Sequence, residues 1–115
     1  MPTVLADVPA DARAMHEEPF GPLALVRPFD ELDEAVALAN GTEYGLAAYA
    51  FTRSLATAQY LQSALEAGCV SINSFAMAPV EMPFGGLKQS GVGSEMGIEG
   101  LASHLHTKSI FRMAS

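Results

Sequence analysis

Leu46-Ala47-Ala48-Tyr49-Ala50-Phe51, then Ser54, then Ala58, Leu61, Ala64 and Leu65, and finally Gly68-Cys69-Val70-Ser71-Ile72-Asn73 are the residues on which the fold turns. Leu46 to Phe51 reads as an apolar strand. Ser54 is of the type that caps the free amides of a helix start. Four apolar residues at helical spacing make one apolar face. Gly68 ends that helix, and Cys69–Asn73 is the next strand. The same unit stands upstream. Leu23-Ala24-Leu25-Val26 reads as a strand buried on both faces and Asp30 as the helix cap. Glu31, Asp33 and Glu34 place negative charge in the first turn, where the helix dipole favours it. Leu32, Ala35, Val36 and Ala39 form the apolar face, and Gly41 ends it. Ser54 follows Asp30 by 24 positions. The units repeat without any repeat of residues. Strand–helix–strand–helix–strand with right-handed crossovers predicts an α/β fold of three parallel strands covered by helices.

On the N-terminal side, Pro2, Pro9, Pro19 and Pro22 restrict residues 1–22 to short strand and loop. Met15-His16-Glu17-Glu18 is expected to make one helical turn before Pro19 stops it. On the C-terminal side, six of the ten glycines fall within residues 85–100. Backbone freedom is high there, and a short helix is expected near Glu95–Ser103. Leu105 to Met113 reads as a strand that holds Lys108 and Arg112 and no acidic residue. A strand leaving a small domain invites pairing with another chain.

The 115 residues correspond to one domain. Half of them are hydrophobic and 17% are charged, which excludes a disordered chain. A net charge of −7 argues against a nucleic-acid partner and against an anionic membrane surface. The single cysteine, Cys69, excludes an internal disulfide framework and a cysteine-built metal site. No apolar run reaches transmembrane length, and no charged-then-apolar leader opens the sequence, so a soluble cytoplasmic protein is expected.

Gly91-Val92-Gly93-Ser94-Glu95-Met96-Gly97 is one residue off a dinucleotide fingerprint and follows a polar loop, so it reads as turns. Gly85-Gly86-Leu87-Lys88-Gln89-Ser90 lacks phosphate-loop spacing. Cys69 lies in an apolar strand pattern with no histidine near it in sequence and reads as an inert buried thiol. His104-Leu105-His106 puts two imidazoles on one strand face without a third ligand, so solvated or interface histidines are expected. Two segments stay open between structural and functional readings. Glu17-Glu18-Pro19-Phe20-Gly21-Pro22 is either a rigid acidic turn or a carboxylate and a ring held to meet a ligand hydroxyl and a flat ring. Met77-Ala78-Pro79-Val80-Glu81-Met82-Pro83-Phe84-Gly85-Gly86 is either loop packing or the wall of a ligand pocket.

At these segments the chain resembles the C-terminal part of the NAD(P)-dependent aldehyde dehydrogenase superfamily. The matching stretches are Pro2-Thr3-Val4-Leu5, Glu17-Glu18-Pro19-Phe20-Gly21-Pro22, Ala37-Leu38-Ala39-Asn40 and Tyr44-Gly45-Leu46-Ala47-Ala48. Ala67-Gly68-Cys69-Val70-Ser71-Ile72-Asn73, Pro83-Phe84-Gly85-Gly86-Leu87-Lys88-Gln89-Ser90-Gly91 and the closing strand around Lys108 follow in family order. Asn73 to Gly91 is most similar to the succinate-semialdehyde dehydrogenase-like branch. The resemblance implies oxidation of an aldehyde to a carboxylic acid. A cysteine thiolate attacks the carbonyl, hydride passes to NAD or NADP, and a glutamate-activated water releases the acid. It implies that Glu18 binds the nicotinamide ribose hydroxyls, that Phe20 packs by the nicotinamide, and that Phe84 lines the substrate tunnel. Small residues near Ala78 leave the size of the aldehyde open.

Residues 1–103 are then expected to be the C-terminal portion of a catalytic domain, with its parallel strand–helix core. Residues 104–115 are expected to be an oligomerisation strand, in a homo-oligomer. The family's Rossmann-like cofactor domain, its nucleophile and its general base have no counterpart in these residues. Cys69 matches a structural strand position, so no catalytic residue is assigned and no metal is implied. The chain is expected to be a fragment that is inactive alone. The alternative is an oligomerisation or interaction module of α/β fold.

Overall fold

The computed structural model describes residues 1–77 and 79–114. In chain order it has β1 (Thr3–Ala6), a 3-10 turn (Arg13–Met15), β2 (Leu23–Val26), α1 (Leu32–Asn40), β3 (Tyr44–Gly45) and β4 (Ala47–Ala50). Then come α2 (Leu55–Ala64), β5 (Cys69–Ile72), β6 (Leu87–Lys88) and α3 (Gly97–Ala102). The architecture is α/β. β4 and β5 run parallel, with Ala47 opposite Cys69 and Ala50 opposite Ile72. The α2 crossover between them is the unit expected from the apolar pattern.

The expected three-stranded sheet is split. β2 pairs parallel to β1, Thr3 opposite Leu23 and Ala6 opposite Val26, and is bonded to neither β4 nor β5. Pro2 and Pro9 flank Thr3–Ala6 without entering it, so these four residues keep every ladder amide and take the edge of β2. A third pair, β3 with β6, is antiparallel and only two residues long, with Tyr44 opposite Lys88 and Gly45 opposite Leu87. The early helical turn also lies upstream of its expected place, at Arg13–Met15, where Arg13 grips Glu17 one turn on.

α1 and α2 begin on local chemistry. Ser54 caps α2 by accepting from the Thr57 amide at 3.2 Å. Ser54→Ala is expected to lower stability by about 1 kcal/mol, read as a lower urea midpoint at unchanged slope. The expected cap of α1 moves by one residue. Glu31 is the capping position with no side-chain bond, and Glu34 reaches back to the Asp30 amide at 3.4 Å. Asn73 leaves β5 with φ 56°, a region asparagine tolerates. Its side chain replaces the next ladder rung: Oδ1 accepts from Thr52 N and Nδ2 donates to Thr52 O, each at 2.8 Å.

The helices are tied by the Tyr60 hydroxyl, which donates to Asp33 Oδ1 at 2.6 Å. That hydrogen bond is the main cause holding the Tyr60 phenol above its ordinary range. A group with a raised folded pKa adds stability below its unfolded value and loses it as the pH rises through the folded one. Alkaline titration of Asp33→Ala is therefore expected to show the Tyr60 phenolate forming at lower pH than in the unmodified chain.

The core is small. Val36 on α1, Leu61 on α2, and Cys69 and Ser71 on β5 are buried. Ser71 Oγ lies 3.0 Å from the carbonyl oxygens of Ser74 and Ala76. Ala58, Ala64 and Leu65 pack half-buried beside Leu61, as the helical spacing requires. The apolar face of α1 is rotated: Ala39 is exposed and Leu38 is half-buried instead. The burial on both faces expected of Leu23–Val26 is not found: β2 and β4 alternate between exposed and half-buried residues, and β5 between buried and half-buried ones. Tyr49 on β4 and Phe51 just past its end are both exposed and lie against Phe75, at ring separations of 6.1 and 5.1 Å.

The chain exposes 9162 Å², against about 6,000 Å² for a folded monomer of this mass. Its radius of gyration is 19.3 Å, against about 13 Å for a compact domain of this length. Residues 105–114 carry no strand. A ladder needs a partner, and the segment expected as the oligomerisation strand has none among the described residues. Leu105, Ile110, Phe111 and Met113 are exposed along it.

Candidate functional site

Glu18 and Phe20 sit on a turn fixed from both ends. Upstream, Arg13 donates to both carboxylate oxygens of Glu17, at 2.9 and 2.6 Å. This hydrogen bond is the main cause holding the Glu17 carboxyl below its ordinary range. The pair is exposed and adds little to stability, but it occupies one of two adjacent carboxylates. No hydrogen bond to the Glu18 carboxylate is found among the described residues. Downstream, Gly21 N donates to Pro19 O at 2.7 Å and Leu23 N to Gly21 O at 2.8 Å. This tight double turn between two prolines leaves the Phe20 ring 97% exposed at its tip.

Glu18 lines an open cleft of about 790 Å³, together with Asn40, Thr42, Glu66, Gln89 and Ser90. Phe84 lies in a second hollow of about 340 Å³, with Gly85, Gly86, Glu95 and Ser103. The residues implied by the resemblance are therefore not gathered in one cavity: Glu18 and Phe84 line different hollows, and Phe20 lines neither. Leu46 and Ser90 line both and form the partition.

Phe84 is held by a backbone pair with Glu95, 2.8 Å in each direction. Gly97 N donates to Val80 O at 3.1 Å, which fastens the proline-braced loop to the start of α3. Ala78, in the middle of that loop, lies outside the described residues. Gly91, Gly93 and Gly97 all have φ between 56° and 130°, so the glycine motif is a series of left-handed turns. Gly68 is different: a side chain there would meet the backbone carbonyl of Gly85.

Cys69 is buried in β5, as expected of an inert thiol. His104 Nδ1 pairs with Ser103 Oγ at 2.9 Å, and both histidines of the pair are exposed. Among the described residues no three metal-ligating side chains come together.

The residue pattern missed a polar junction behind the cleft. Lys88 Nζ contacts Asn40 O at 2.7 Å, Thr42 O at 3.1 Å and Glu66 Oε2 at 2.7 Å. Asn40 also bridges, through Nδ2 to Ala64 O at 2.7 Å and from Glu66 N to Oδ1 at 2.9 Å. Asn40 and Lys88 both stand in the quoted family stretches, and that was the only available signal.

The aldehyde dehydrogenase family model matches residues 1–110. A 4-(hydroxymethyl)benzenesulfonate dehydrogenase of Comamonas testosteroni is 51% identical over 107 residues, covering 93% of this chain and 22% of that protein. A betaine aldehyde dehydrogenase of Agrobacterium fabrum is 46% identical over 110 residues, covering 96% and 22%. Among solved structures, a Staphylococcus aureus betaine aldehyde dehydrogenase in complex with NAD+ superposes with a TM-score of 0.88. It is 41% identical, over 93% of this chain and 21% of that one. The chain thus spans about a fifth of the length of these relatives. With motif order, fold and relatives in agreement, the chain belongs to the aldehyde dehydrogenase family.

Proposed function

We propose that the chain supplies the cofactor-facing edge and one substrate wall of an NAD(P)-dependent aldehyde dehydrogenase, which oxidises an aldehyde to its carboxylic acid. The observation that carries this reading is the pair of adjacent carboxylates. Arg13 occupies Glu17 and leaves Glu18 open to the cleft. An unpaired carboxylate accepts two hydrogen bonds from a vicinal diol, and a ribose presents one. Phe20, bare at its turn, packs on the nicotinamide ring, and Phe84 forms part of the substrate wall. NAD or NADP is the cofactor, and the S. aureus relative holds NAD+.

Residues 1–103 act as part of the catalytic domain and residues 104–115 as the oligomerisation strand of a homo-oligomer. The exposed apolar residues of 105–114 support that second role. The compartment is cytoplasmic. No helix of the described residues is long and apolar enough to cross a membrane. Succinate semialdehyde is our proposed substrate, while the relatives named above carry other substrates in their names.

The 115 residues alone are catalytically silent, because Cys69 is buried in a strand and no other thiol is present to make the covalent intermediate. Purified chain with NAD or NADP and a panel of semialdehydes is expected to give no nicotinamide reduction. Turnover above a buffer blank overturns this. A second reading, an assembly module working through strand addition, is favoured by the partnerless 105–114 segment. Sedimentation at micromolar concentration gives a dimer if it holds, and a clean monomer refutes it.

A further inference from the structure

We infer that Lys88 is a positioning residue that sets Phe84 relative to the cleft holding Glu18. The side chain is 26% exposed, and its ammonium meets three oxygens: the last carbonyl of α1 at Asn40, the carbonyl of Thr42, and the Glu66 carboxylate. An ammonium has three N–H donors, so all three are engaged. The partners come from three separate places: the end of α1, the turn before β3, and the segment between α2 and β5. The backbone of Lys88 is committed too. Its φ is 53°, a conformation unfavourable for a long side chain, so the surrounding bonds must hold it.

Those bonds grip the next two residues. Gln89 N donates to Glu43 O at 2.9 Å, and Ser90 Oγ accepts from Gly45 N at 2.9 Å. Ser90 belongs to the partition between the two hollows. Gly86 lies against Ser90, where an added Cβ would come within 2.5 Å of the Ser90 Cβ. Gly85 seats on Gly68, and Phe84 immediately precedes Gly85 in the chain. Phe84 therefore has two anchors, the Glu95 pair on one side and the Lys88 turn on the other. Removing the ammonium releases the second anchor while the first persists.

This inference rests on reading Phe84 as a substrate wall, but its test needs neither cofactor nor aldehyde. The full chain is labelled with fluorophenylalanine at its six phenylalanines, and fluorine spectra are compared with Lys88→Met. The Phe84 signal is expected to shift or broaden, while Phe75 and Phe20, remote from the junction in the hydrogen-bond network, keep theirs. The Gly45 and Gln89 amides are expected to lose at least tenfold in exchange protection. An unmoved Phe84 signal in folded Lys88→Met overturns the inference. If Lys88→Met collapses every signal, Lys88→Arg is read instead. Its charge is kept, but a planar guanidinium fork does not converge on three oxygens as an ammonium does. A moved Phe84 signal in Lys88→Arg supports the inference, and an unmoved one overturns it. An inactive enzyme would remove the substrate-wall reading without touching this result, and an unmoved signal would remove the positioning role without touching that reading.

Discussion

Gly68→Ala is expected to destabilise the chain by about 3 kcal/mol, the upper end of what overpacking produces. The added Cβ would land on the carbonyl oxygen of Gly85, with Gly85 C at 2.8 Å and Gly86 Cα at 3.3 Å behind it. All three are backbone atoms, so no flexible side chain can swing away. Relief requires moving either β5 or the Gly85–Gly86 segment. Moving β5 breaks Gly68 N to Gly45 O and Cys69 N to Leu46 O, each 3.0 Å. Moving the segment shifts Phe84. Gly21→Ala is the matched control, because nothing lies within 4 Å of its added carbon. It is expected to change stability by less than about 0.5 kcal/mol. Urea unfolding of both variants decides the matter. Equal midpoints would mean that the close approach of Gly68 to Gly85 is not a constraint of the fold.

The second large effect concerns the cofactor. Consider a graft in which residues 1–110, the family-matched span, replace the corresponding fifth of the A. fabrum betaine aldehyde dehydrogenase. Glu18→Ala in that graft is expected to raise the KM for NAD by tenfold or more. Hydrogen bonds to a charged acceptor contribute about 1.5–3 kcal/mol each, and each 1.4 kcal/mol is a factor of ten. Glu17→Ala is expected to have a much smaller effect, because Arg13 already holds that carboxylate. Steady-state kinetics at varied NAD ranks the two, and the reverse order would assign the ribose to Glu17.

Local features were the legible part of this fold. Ser54 as a cap, the apolar face through Leu61, and β5 with Cys69 buried follow from residue type and spacing over a few positions. The split sheet was not legible, because the partner of β2 is chosen by an edge contact with Thr3–Ala6 and both segments look like generic apolar strands. The β3–β6 pair is two residues long and leaves no periodic trace. The α1 cap slipped from Asp30 to Glu31 because both neighbours are acidic and only the backbone conformation separates them. Burial on both faces was over-read at β2, since an apolar run records what a strand can bury and not what covers it.

Motif resemblance proposed Glu18, Phe20 and Phe84 but could not show that Glu18 and Phe84 line different hollows and Phe20 neither. The resemblance singled out Glu18 over Glu17 but gave no physical reason, which lies in an arginine four residues upstream of Glu17. The Asn40–Glu66–Lys88 junction joins residues up to 48 positions apart. Such a contact has no signature in any single segment.

The most direct measurement is nicotinamide reduction by the unmodified graft, supplied with NAD and betaine aldehyde. Sustained aldehyde-dependent reduction is the expected result, because the graft returns these walls to the remaining four fifths of an aldehyde dehydrogenase. A folded graft that binds NAD and turns over no aldehyde would contradict the assignment of these residues to the cofactor edge and the substrate wall.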